Sequence, residues 1–168
     1  APGFARLALR ARVLDQEVAS LAPDPVTRDG LGEVAVWIVR LQSTLQALDA
    51  SLSAIEPGPL ARRMADVAAE AEASTDPFVR SQRLATLQHL EQLDRHRAAL
   101  EAERTRASAL SDCALAFLEE ARAGLSLAQV TPGDHRPVGL DSVLQRLRTQ
   151  GAELSLIHIS EPTRPNDI

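Results

Sequence analysis

Past Pro77, the chain contains no proline and no glycine until Gly124. This stretch opens Asp76-Pro77-Phe78-Val79, with a capping aspartate ahead of a proline at the first helical position. The pattern predicts one helix over about 76–129, and at 1.5 Å per residue such a helix is roughly 80 Å long. Whatever else the chain forms must pack around that rod. Apolar residues make up 45% of the sequence, but there are three Phe, one Trp and no Tyr, so the core must be aliphatic. Alanine and leucine favour helix, and the β-branched and aromatic strand formers are scarce. An all-α fold follows.

The remaining helices are read from hydrophobic period and from breakers. Phe4, Leu7, Ala11, Leu14, Val18 and Leu21 recur at spacings of three and four, which predicts a helix near 3–21. Pro23-Asp24-Pro25 breaks the chain, Gly30 and Gly32 loosen it again, and a second helix is expected near 31–55. There Leu31, Val34, Ile38, Leu41, Leu45, Leu48, Leu52 and Ile55 fill eight successive heptad a and d positions. Around Val36 and Trp37 the apolar surface widens beyond that seam, which predicts several helix neighbours covering both residues. Trp37 itself suits core packing better than a role as an interface anchor, given its apolar neighbours. Pro57-Gly58-Pro59 ends the second helix, and a short, alanine-rich and weakly held third one is expected near 59–74.

Within the long helix, Leu84, Leu87, Leu90 and Leu93 are each three residues apart, so the row rotates by about 60° per step. The first half should therefore meet different partners from the second. Residues 94–106 form a charged waist in which Leu100 is the large apolar residue, with intrahelical ion pairs worth a few tenths of a kcal/mol each. After Thr131-Pro132-Gly133, a last amphipathic helix is expected near 140–150, with Leu140, Val143, Leu144 and Leu147 on one face.

Residues 154–164, Leu-Ser-Leu-Ile-His-Ile-Ser-Glu-Pro-Thr-Arg, resemble the in-frame translation of a transposase-type sequencing adapter. Composition shifts at the same point. The first 153 residues hold two isoleucines, Ile38 and Ile55, and no asparagine, whereas the last fifteen hold three isoleucines and Asn166. Residues 151–168 are accordingly expected to be a non-native, disordered tail in which Ser155 and His158 carry no chemistry. The fold is expected to be a single bundle over 1–150 with both native ends missing.

The formal net charge is −5 and every one of the eighteen cationic residues is arginine. Nucleic-acid binding needs clustered cations, so this balance argues against it. A single cysteine excludes an internal disulfide and fits a reducing compartment. The sequence has no run of eighteen apolar residues with which to span a membrane. Arg6, Arg10 and Arg12 would suit a cytoplasmic flank beside an upstream membrane anchor, but a solvated helix face is the commoner use of such charges.

Few residues offer chemistry. His89 and His96 share a face about 10 Å apart, too far for one metal ion; Glu91, Asp94 or a partner helix could complete a site, but a true site needs several convergent ligands and none is expected. Gln88-His89-Leu90-Glu91 loosely resembles the phosphorylated histidine of two-component sensor kinases, which implies a phosphoacceptor role for His89. The sequence departs from that pattern because Leu90, not an acid, follows the histidine. A solvated histidine is the plainer reading. Cys113 lies mid-helix among apolar residues beside Asp112, surroundings that suit a buried small hydrophobe better than an activated thiolate. Asp134, His135 and Ser142 supply the residue types of a hydrolase triad without a glycine-flanked nucleophile turn.

The expectation is thus an elongated, antiparallel, coiled-coil-like helical bundle with one long central helix. No catalytic, cofactor-binding or metal-binding residue is predicted. Function is expected to be that of a non-catalytic structural or protein-interaction module in the cytoplasm. Its partner would be a second copy or another protein's amphipathic helix, with no nucleic acid, and a membrane reached only through a missing N-terminal segment. The alternative is the cytoplasmic helical region of a membrane-anchored signalling protein.

Overall fold

The computed structural model describes residues 2–22, 24–130 and 139–156, and its side-chain description covers 9–22, 24–130, 139–151 and 153. The side chains of Phe4, Arg6, Leu7 and Ser155 lie outside the described residues, as do Asp134, His135 and His158 entirely. Five helices follow one another, α1 (Pro2–Leu21), α2 (Pro25–Ser53), α3 (Pro57–Ala73), α4 (Pro77–Ala128) and α5 (Leu140–Leu156). The fold is all-α, with α4 as the long helix the others pack against. It is helical throughout the charged stretch 94–106.

Capping chemistry explains the starts of α2 and α4. Asp24 accepts the Thr27 backbone N–H at 2.9 Å and the Thr27 hydroxyl at 2.8 Å, so α2 begins at Pro25, six residues before the expected start. Asp76 likewise accepts the Phe78 N–H at 2.8 Å ahead of α4. Gly30 and Gly32 do not interrupt α2. A Cβ on Gly30 would stand 2.9 Å from Leu140 Cδ2, so the missing side chain is room for α5. At the start of α5, Gly139 takes φ +89, a left-handed conformation that favours glycine, and its carbonyl accepts the Val143 N–H.

The end of α5 departs furthest from expectation. Gly151 was expected to follow the last helical residue, yet α5 continues to Leu156 and Gly151 is buried inside it. A Cβ there would come within 2.5 Å of Trp37 Cζ3, so the glycine lets the helix approach the indole. Residues 151–156, assigned to the disordered tail on sequence, are thus helical, and the rest of that tail lies outside the described residues.

Where the sequence suggests one bundle over 1–150, the helices cluster into two compact units, residues 1–46 with 106–168, and residues 47–105. In the first, Ala11, Leu14 and Val18 of α1, Leu31 to Leu45 of the α2 heptads, Leu118 and Leu125 of α4, and Leu140, Leu144 and Leu147 of α5 are buried. Arg10 and Glu17 of α1 pair with Glu119 and Arg122 of α4, so these two helices run parallel. Similarly α5 runs parallel to α2, with Leu140 against Gly30, Arg148 on Glu33 and Gly151 against Trp37. Gln42 and Ser111, both buried, share a 3.1 Å hydrogen bond across α2 and α4.

The second unit is slimmer. As the chain steps from Asp49 of α2 to Ile55 just past its end, α4 steps back from Arg104 to Arg97, and Glu70 of α3 meets Arg83 at 2.9 Å. So α4 here runs antiparallel to the end of α2 and then to α3. Arg97 donates to the Ile55 carbonyl at the break between those two helices and also pairs with Glu101. Besides buried Leu48 and Ala71, the unit's core holds a cluster of Leu60, Val67 and Leu90, flanked by partly buried Ile55, Met64 and Leu87.

Three expected aliphatic burials fail. Val36 is exposed, because it lies about half a turn around α2 from the buried heptad stripe. Leu84 and Leu93, expected to pack, are exposed at 47% and 37%. The four-leucine row sweeps about 180° around α4, and one partner helix can cover only its middle members, Leu87 and Leu90.

Candidate functional site

The polar candidates do not converge. His89, Glu91, Asp94 and His96 are all exposed on the first half of α4. His96 lies 3.5 Å from Gln92, and no three metal-capable side chains gather among the described residues. Cys113, expected to be buried, is exposed, because it sits about 100° around α4 from the centre of the stripe formed by Ala107, Ala114, Leu118 and Ala121. Ser142 is exposed in the first turn of α5, and its two suggested triad partners lie outside the described residues.

Trp37 sits in an organised polar rim instead. It is half-buried, with Gly151 against one edge and the Arg40 guanidinium 5.2 Å from the ring centroid. Next to it, Arg148 donates to both oxygens of Glu33, at 2.7 and 2.6 Å. Those bonds, more than any other cause, hold the Glu33 carboxyl below its usual range; burial opposes them, and the neighbouring Trp37 and Arg40 reinforce them. The group clamps α5 to α2 and leaves little of Trp37 for a partner.

Apolar surface is what the described residues leave open. Between α1 and α4 of the first unit is a groove of about 600 Å³, with Leu9 and Val13 exposed along it and the Arg10–Glu119 and Glu17–Arg122 pairs bridging it. Arg10, considered on sequence as a lipid-facing charge, is engaged in the first of these pairs. In the second unit, Phe78, Val79, Leu84 and Leu93 of α4 are exposed. A groove of about 440 Å³ runs from Ser74 past Arg80 and Leu84 to Gln88. Sequence reasoning missed Leu9, Val13 and Phe78 as surface residues, although Leu9 and Val13 stand off the α1 heptad stripe and that signal was available. Among the described residues, no helix is long and apolar enough to cross a membrane. Comparison with protein-family models, curated proteins and solved structures finds no match to this chain.

Proposed function

We propose that the chain is a non-catalytic helical protein-interaction module that receives an amphipathic helix on its exposed apolar positions. The carrying observation is the uncovered apolar surface on the first half of α4, where Leu84 stays in water on one side of a cluster of three buried residues and Phe78 and Leu93 stay in water away from it. Two helices alone leave both ends of the leucine row unburied, and a further helix laid along either side would remove apolar surface from water at about 25 cal/mol per Å². The partner is protein and not nucleic acid, in keeping with a net charge of −5. An unpaired, exposed Cys113 suits the reducing cytoplasm.

The test is affinity capture with the whole chain against a Phe78→Ser/Leu84→Ser/Leu93→Ser variant, both verified as folded by circular dichroism. A helical protein, a second copy included, held by the wild type and released by the variant is the expected result. Equal retention by both, or retention of nothing, would rule the reading out.

A further inference from the structure

Resting on that reading, we propose that the occupant of the α4 face is a second copy of this chain, docked antiparallel about a two-fold axis between Ala85 and Thr86. Asp76, Arg80, Leu84, Leu87, Glu91 and Arg95 lie within about 100° of arc along one side of the helix, at steps of four, four, three, four and four. Leu87 is half-buried and the other five are exposed. Read from either end, the stripe is complementary to itself. About that axis Arg80 meets the second copy's Glu91, Asp76 meets its Arg95, and Leu84 meets its Leu87.

No residue from 76 to 95 meets a like charge in this register. Arg83 faces neutral Gln88 and is engaged with Glu70 of its own chain, and Asp94 faces Pro77. Arg80, Glu91 and Arg95 make no ion pair among the described residues, so their charges are available. The groove beside Arg80, Ser81 and Leu84 gives the incoming Leu87 a place to lie. A two-fold contact of this kind is isologous: each complementary pair occurs twice. The stripe lies about 60° around α4 from the side that holds α3, so two hairpins come together as four helices and cover Leu84, the exposed leucine on that side of the row. The contact runs along about 28 Å of helix, which places it among weak, reversible interfaces.

Sedimentation of the whole chain in reducing buffer, which prevents linkage through Cys113, tests this. The wild type should form a reversible dimer within the range from ten to several hundred micromolar, about the range of weak interfaces. Arg80→Glu and Glu91→Arg should each weaken it roughly tenfold, because two attractive pairs become repulsive. The double swap Arg80→Glu/Glu91→Arg restores opposite charges and should return the affinity to near the wild-type value. Both positions are exposed, so circular dichroism should show all variants folded.

A wild type that stays monomeric throughout this range, a dimer indifferent to both single changes, or a double swap no better than the singles would overturn the interface. A monomer that still retains another protein's helix in the capture test above removes this inference and leaves the broader one standing. A monomer that retains nothing removes both.

Discussion

Gly151 and Gly124 both sit inside helices, yet alanine should act on them with opposite signs. At Gly151 a methyl group would collide with the Trp37 ring, whose atoms lie 2.5 and 2.9 Å from the Cβ position, and overpacking of this kind costs about 1–3 kcal/mol. At Gly124 nothing lies within 4 Å, so Gly124→Ala should gain up to about 1 kcal/mol from helix propensity. Thermal denaturation of the two variants checks the contrast. The Glu33–Arg148 pair beside Trp37 adds a pH dependence. Because the folded-state pKa of Glu33 is held below the ordinary 4.5, its stabilising contribution is present above that value and is lost as pH falls through the lower folded value. Stability curves of wild type and Glu33→Gln should therefore draw together as pH falls below the ordinary carboxyl value of 4.5 and separate toward neutrality. A constant gap at all pH would show that the carboxylate charge contributes nothing.

Leucines at helical spacing look alike on paper, but the elements that face them make them unequal. Leu45 of α2 is 4% exposed and Leu84 of α4 is 47% exposed. Leu45→Asp should cost about 3 kcal/mol or more, since it buries an unpaired charge. The same change at Leu84 should shift stability by less than about 1 kcal/mol. Chemical denaturation measures both, and equal losses would mean that Leu84 is covered. The α2 heptads were legible because Leu31 through Leu48 sit on a helix with neighbours on that whole side. The α4 row was legible as a row, but its burial was not, because period reports which side chains share a face and not how many helices meet it. Cys113 was misread for the same reason. Apolar residues adjacent in sequence are not neighbours on a helix, and its angular position put it outside the seam.

Across the whole chain, the two units differ in how much core they hold. Leu31, Ile38, Leu41, Leu118, Leu125 and Leu147, among the largest fully buried side chains, all belong to the first unit, and Leu48 is the second unit's member of that set. Amide hydrogen exchange should therefore find lower opening free energies over α3 and residues 77–100 than over residues 31–45 and 107–125. Uniform protection would contradict the division of the core. The sequence by itself determined the helices, most of their bounds and the aliphatic stripes, because these depend on propensity, capping and period, which are local. Only the tertiary structure decided that Gly30 and Gly151 are contact points and not breaks, that Val36, Leu84 and Leu93 stay in water, and that α1 lies parallel to α4. Each of these depends on which helix comes close at a given level, and that is settled by packing between residues far apart in the chain.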